Sequence, residues 1–176
     1  SYTTSDQDIF LQDLQKNTAT NITKHTGAVN NSPADFSPDG TKLLFVSDSG
    51  REYASLRAYD LVDGSKKTVY EQKWDILGAG YSKSGKYLVV GVNEDSKAAA
   101  RVLDAKTLEP VSLPDLPTGL IRGVEIAPND SLIAFYASDG SVPPELYVAS
   151  VGAAPRRLTN ALDPKMKRED LVVPTV

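Results

Sequence analysis

Ser82 sits in Gly80-Tyr81-Ser82-Lys83-Ser84, the nearest approach in this sequence to the Gly-x-Ser-x-Gly turn that presents a hydroxyl nucleophile between a strand and a helix. The match lacks the second glycine that so strained a turn requires, and Ser84 stands in its place. A serine nucleophile also needs a base, and His25 is the only histidine, so any triad or imidazole metal site would have to use it. His25 follows Asn21-Ile22-Thr23 in a segment that reads as a solvated loop. The carboxylate pairs Glu94-Asp95 and Glu169-Asp170 have the chemistry for acid–base work or for a hard cation. One falls in a predicted hairpin and the other in a predicted helix, where acidic residues are ordinary surface. Trp74, between an outer strand and the next inner strand, can stack on a ligand or, as the favoured reading, plug a gap between sheets. Arg122 and Glu125 lie on a predicted inner strand, as ligand contacts or as an ion pair between sheets. No catalytic residue, no metal ligand and no cofactor is assigned from this inventory, and substrate-binding residues stay unassigned.

The elements that carry these side chains come from a repeat. Phe36-Ser37-Pro38-Asp39-Gly40 returns as Tyr81-Ser82-Lys83-Ser84-Gly85 and as Ile126-Ala127-Pro128-Asn129-Asp130, each 45 residues after the last. A period of this size marks propellers and solenoids. The register gives Ser82 the same turn position as Ser37, which makes it a turn residue before it is a nucleophile. After each turn comes an apolar run: Leu43-Leu44-Phe45-Val46, Leu88-Val89-Val90-Gly91 and Ile133-Ala134-Phe135-Tyr136. Runs that do not alternate call for strands covered on both faces. In an antiparallel protein, small sheets stacked around an axis meet that condition.

In the first complete unit the strands are predicted at 33–37, 42–48, 54–61 and 66–71. Asp39-Gly40 and Ser84-Gly85 read as primed hairpin turns, and Asp63-Gly64 and Ala105-Lys106-Thr107-Leu108 as the turns into the outermost strands. The fold class is therefore all-β: a partial β-propeller of four-stranded antiparallel blades, three full blades plus the outer half of a fourth. The expected divisions are 1–26 for the outer half-blade, 27–72, 73–117 and 118–160 for the three blades, and 161–176 for an exit linker. Asp8-Ile9-Phe10-Leu11 resembles Glu145-Leu146-Tyr147-Val148, and Asn21-Ile22-Thr23 resembles Arg157-Leu158-Thr159, about three repeats on. The chain is thus expected to begin in mid-blade and to present open edges. Its expected partners are the rest of its own propeller or a second copy. In the linker, Asp163-Pro164 is a capping pair for a short helix ending before Pro174.

Composition narrows the classes. A formal charge of −4 with well-mixed signs among 176 residues offers no electrostatic footprint for nucleic acid. The longest apolar runs fall far short of the roughly 20 residues that span a bilayer, so no membrane segment is expected. No cysteine is present, which removes disulfides, thiolate zinc and thiol nucleophiles. The opening Ser1-Tyr2-Thr3-Thr4-Ser5-Asp6 has neither a basic nor an apolar region. A cytoplasmic location is the expectation and the periplasm its alternative. The triplets at Asn21, Asn30 and Asn129 match the glycosylation pattern, which is common by chance.

The unit Ser37-Pro38-Asp39-Gly40, then Lys42-Leu43-Leu44-Phe45-Val46, then a third strand and an Arg157-Leu158-Thr159 close resembles the propeller repeats of TolB-like proteins and of prolyl oligopeptidase family serine peptidases. The tail, Arg157 to Leu162 followed by Glu169 to Val176, is similar to the linker by which those peptidases pass from the last blade into an α/β-hydrolase domain. The resemblance implies a non-catalytic propeller segment that gates and orients peptide substrate for a hydrolase domain outside this chain. None of that family's catalytic motifs maps onto this sequence. The alternative it implies is a TolB-like interaction propeller with no enzymatic activity.

Overall fold

Short apolar runs punctuated by Gly, Asp and Asn turns fold into antiparallel meanders. The computed structural model describes residues 6–95, 97–111, 120–138, 143–150 and 153–172. β1 (Phe10–Asp13) and β2 (Thr18–Asn21) form a two-stranded sheet. β3 (Asn31–Phe36), β4 (Lys42–Ser47), β5 (Ser55–Asp60) and β6 (Lys66–Tyr70) form a four-stranded sheet in chain order. β7 (Asp75–Tyr81), β8 (Tyr87–Glu94) and β9 (Lys97–Asp104) make a three-stranded sheet. β10 (Leu120–Ile126), β11 (Leu132–Ser138), β12 (Glu145–Ser150) and β13 (Arg156–Arg157) make the last. Beside β9 the outermost place is held by an isolated bridge, Leu103 to Pro110, closed by the Val111 N–H donating to the Val102 carbonyl at 2.8 Å.

The repeated turn is built the same way each time. The N–H of Gly40, Gly85 and Asp130 donates to the carbonyl of Ser37, Ser82 and Ala127 respectively, at 2.8 Å in all three. All three donors have positive φ (67°, 75° and 58°), where glycine is unstrained and Asp is among the few tolerated side chains. Asp39 does not share that conformation, so the hairpin is not the primed turn that Asp39-Gly40 suggests. The residue uses its carboxylate instead, accepting from the Ser37 hydroxyl at 2.6 Å and from the Thr41 N–H and hydroxyl at 3.0 and 2.8 Å. The turns into the outermost strands also repeat, with positive φ at Gly64 and Leu108 and their N–H groups donating to the carbonyls of Asp60 and Asp104.

The chain forms two compact units, Ser1–Gly80 and Tyr81–Val176. In the first, Ile9 and Ile22 beside the β1–β2 hairpin are buried with Leu43 and Phe45 of β4, flanked by Leu11 and Tyr59. In the second, Tyr87 and Val102 of β8 and β9 are buried with Ile133, Phe135 and Ala137 of β11 and Ala149 of β12. The rings of Phe135 and Tyr147, directly opposite each other on β11 and β12, stack with centroids 5.6 Å apart.

The expectation that every apolar run is covered on both faces holds for β4, where Leu43 to Ser47 are all buried. It fails for β11. Ile133, Phe135 and Ala137 are buried, but Leu132 and Tyr136 are each 44% exposed. At the equivalent repeat positions Tyr87 is 5% and Val46 is 8% exposed. The run in β11 is apolar on both sides, while among the described residues the side of Leu132 and Tyr136 is the less covered one. The tail departs from expectation too: Asp163 caps the Lys165 N–H at 2.8 Å and closes one turn to Met166, and among the described residues a 3-10 turn, Arg168–Asp170, follows in place of an α-helix; Pro174 lies outside the described residues. So short a segment cannot repay the cost of nucleating an α-helix.

Phe135→Ala should cost about 3–5 kcal/mol, the range for emptying a buried aromatic site. Tyr136→Thr, one residue on and on the open face, should cost less than about 1 kcal/mol. Urea unfolding of both variants checks the contrast; equal losses would mean that the open face of β11 is covered.

Candidate functional site

Ser82 is placed as a structural hydroxyl. It is buried, its Oγ lies 3.0 Å from the Ser84 Oγ, and it accepts the Tyr87 N–H at 3.1 Å. Ser37, one repeat earlier, accepts the Lys42 N–H at 2.9 Å in the same manner. Each serine closes the strand-to-strand hairpin by capping the first N–H of the second strand. A nucleophile elbow, by contrast, leads from a strand into a helix.

His25, read from sequence as a solvated loop residue, is mostly buried and fully engaged. Its Nδ1 lies 2.9 Å from Asp8 Oδ1 and 3.0 Å from the Thr23 carbonyl, and its Nε2 lies 2.9 Å from Asp6 Oδ1. The Thr23 carbonyl first, then Asp6 and Asp8, raise its pKa against an opposing contribution from burial. Asp8 also accepts from the Asn21 amide at 2.7 Å and the Thr23 hydroxyl at 3.0 Å. The Asn21 amide is the largest of the contacts that hold its carboxyl below the ordinary value. Both ring nitrogens are committed, so neither is available as a general base.

The remaining candidates separate. Glu94 pairs with Arg101 across the β8–β9 hairpin, and Asp95 forms the turn with φ of 49°. Glu169 and Asp170 lie in the 3-10 turn, with Lys167 Nζ 3.9 Å from Glu169. Among the described residues, no group of three or more His, Cys, Asp or Glu is arranged to hold a metal ion. No helix among them is long and apolar enough to cross a membrane. Asn21, Asn30 and Asn129 serve local structure, the last two through bonds with Asp48 and Ser131. Trp74 packs on Tyr53 at 6.3 Å between ring centroids and keeps part of its ring exposed. An ion pair between Arg51 and Glu71 joins the same two loops at one end of the first four-stranded sheet.

Arg122 and Glu125 are brought together, and a feature missed in the sequence does it. Residues three apart on a regular strand face opposite sides. Here a bulge at Gly123 and Val124 lets Arg122 oppose Tyr136 while Glu125 opposes Ala134, so both belong to one face. Both are exposed. The φ of Gly123 is 60°, and a Cβ there would stand 3.2 Å from the Tyr136 ring. The signal was Gly123 itself, a glycine within a strand pattern. β3 carries a register shift at the equivalent place, between Pro33 and Asp35.

A second missed feature is a pair of matching clasps. The Ile9 N–H donates to the Thr23 Oγ1 at 2.7 Å, and the Thr23 hydroxyl donates to Asp8. About three repeats later the Leu146 N–H donates to the Thr159 Oγ1 at 2.9 Å, and the Thr159 hydroxyl donates to Glu145 at 2.6 Å. The buried Glu145 also accepts the Ala161 N–H at 2.9 Å. The Thr159 hydroxyl and then that N–H hold its carboxyl below the ordinary value.

Four antiparallel sheets of consecutive strands, repeated in register, make this chain a partial β-propeller. Among solved structures it is similar to TolB from Acinetobacter baumannii, at 21% identity and a TM-score of 0.66 over 90% of this chain and 39% of that one. It is similar to a chain described under "Structural and Mechanistic Analysis of Two Prolyl Endopeptidases", at 15% identity and a TM-score of 0.74 over 94% of this chain and 24% of that one. A putative TolB from Agrobacterium tumefaciens matches at 12% identity and a TM-score of 0.63, over 89% of this chain and 57% of that one. The chain therefore spans from about a quarter to little more than half of these proteins. At such identities the likeness is one of fold. No family model and no curated protein matches the sequence.

Ser82→Ala should lose about 1 kcal/mol through the Tyr87 bond, and intact-mass analysis should find no adduct at Ser82 from a fluorophosphonate serine probe. Labelling at Ser82 would restore it as a nucleophile. The Asp39 pKa, lowered to about 2 by the Ser37 hydroxyl and then by Thr41, sets an acid-side expectation. A depressed carboxylate adds stability above its unfolded value of 3.8 and loses it as the pH falls through about 2. Chemical denaturation of Asp39→Asn and wild type should therefore show a stability gap that narrows across that window. A constant gap would remove the role of the charge.

Proposed function

We propose that this chain is the non-catalytic propeller portion of a serine peptidase of the prolyl oligopeptidase family, gating and orienting oligopeptides for an α/β-hydrolase domain elsewhere in the parent protein. The observation that carries this reading is the likeness to a prolyl endopeptidase over 94% of the chain. The tail adds support: after β13 it leaves the meander as a capped turn and a 3-10 turn rather than as another strand. Arg122 and Glu125 add chemistry. An exposed guanidinium and carboxylate on one face of the innermost strand offer charge-assisted hydrogen bonds to peptide carbonyl and amide groups and to both peptide termini.

The second reading is a TolB-like interaction propeller with no enzyme attached, favoured by the two TolB structures among the similar folds. Reading the gene beyond the codon for Val176 separates the two. The peptidase reading expects a Gly-x-Ser-x-Gly elbow followed by an acid and a histidine. In the intact protein, Arg122→Ala with Glu125→Ala should raise KM for a short peptide about tenfold, the worth of one charge-assisted hydrogen bond. Serine labelling in the hydrolase domain should be unchanged. An exported precursor without the elbow, recovered with an envelope protein, would sink the peptidase reading.

A further inference from the structure

We propose that His25 is a proton-operated catch: as an imidazolium it ties the segment Asp6–Ile9 to the loop after β2, and as a neutral ring it lets that segment go. The geometry demands the charged form. Three oxygens surround the ring, from Asp6, Asp8 and the Thr23 carbonyl, and they approach both nitrogens at 2.9–3.0 Å. A carbonyl and ionised carboxylates can only accept, so both nitrogens must donate, and a neutral imidazole has a single N–H. Losing either proton sets a ring lone pair against an oxygen lone pair in a mostly enclosed site.

The molecule holds its own control. The Glu145–Thr159 clasp repeats the threonine bonds of the Asp8–Thr23 clasp, together with the Ile22 N–H to Ile9 carbonyl bond at 3.0 Å, whose counterpart runs from Leu158 to Leu146 at 2.7 Å. The further donors to the carboxylate differ. At the second clasp the Ala161 backbone N–H completes the set, and at the first the Asn21 amide and the His25 ring do so. Only the first clasp therefore contains a donor that can titrate near neutral pH.

The catch has something to hold. Gln7 makes a parallel bridge to Asn30: its N–H donates to the Val29 carbonyl at 2.9 Å, and its carbonyl accepts the Asn31 N–H at 3.2 Å and the Asn31 side-chain amide at 3.0 Å. Ile9 beside it is buried with Ile22, Leu43 and Phe45. The charged groups facing the ring are Asp6 and Asp8, both on the held segment; the loop that carries His25 contributes Thr23 and Asn21, which are neutral, and the adjacent Lys24. The Thr23 carbonyl first, then Asp6 and Asp8, raise the pKa against burial, so the catch is closed below the folded value and opens as the pH rises through it.

With one histidine, the imidazole resonance in a proton NMR titration is assigned at once. The midpoint should lie above the ordinary 6.5, and Asp6→Asn and Asp8→Asn should each lower it. Across that titration, hydrogen-exchange protection of the Gln7 and Asn31 amides should fall about tenfold, as local opening of a catch predicts. Protection of Leu158 and Ala161 at the other clasp should stay level. In His25→Gln, which cannot charge, Gln7 and Asn31 should be weakly protected at every pH. A midpoint at or below 6.5, or a protection change equal at both clasps, would overturn the proposal. If the Gln variant fails to fold, the wild-type titration alone decides.

Discussion

The packing of β4 on the residues that flank the β1–β2 hairpin, and of β11 on β8 and β9, is the contact on which the rest of this molecule depends. Leu43 and Phe45 of β4 lie against Ile9 and Ile22, and Ile133 and Phe135 of β11 lie with Tyr87 and Val102. Burying an aliphatic or aromatic side chain is worth about 1.5–3 kcal/mol, whereas most other contacts here are exposed ion pairs or turn hydrogen bonds worth about 1 kcal/mol or less. A sheet of four short strands cannot bury such residues by itself. Within each unit one sheet is covered by packing against another part of the same unit.

That dependence makes the uncovered face of β11 meaningful. Leu132 and Tyr136 occupy repeat positions whose counterparts, Tyr87 and Val46, are buried, so the residue types suit a covered surface. The bulge at Gly123 places Arg122 and Glu125 on that face as well. Arg122 and Glu125 rim this apolar face, so whatever covers it must satisfy one cation and one anion.

The clasps show how one repeat is varied without loss of fold. Both use a carboxylate and a threonine to tie an outer strand to the chain that follows its hairpin partner. The first clasp has the Asn21 amide and the His25 ring on its carboxylate where the second has the Ala161 N–H, so only the first can respond to protons.

The repeat of 45 residues, the strands of the first four-stranded sheet and the structural role of Ser82 were all legible in the sequence, because local turn chemistry and apolar periodicity act over a few residues. The same local rules misjudged Asp39-Gly40, since whether one or both residues take positive φ depends on how the hairpin closes through Ser37 and Lys42. Partners from distant positions could not be read. His25 looked like a loop residue because its two carboxylates lie 17 and 19 residues earlier, and strand pairing alone brings them together. Arg122 and Glu125 share a face only because β10 slips one residue against β11. The sequence by itself determined the all-β repeating meander, through interactions short enough to be written in adjacent residues. The tertiary structure decided which apolar faces are covered and which polar groups meet, because those depend on register between segments that the sequence does not place side by side.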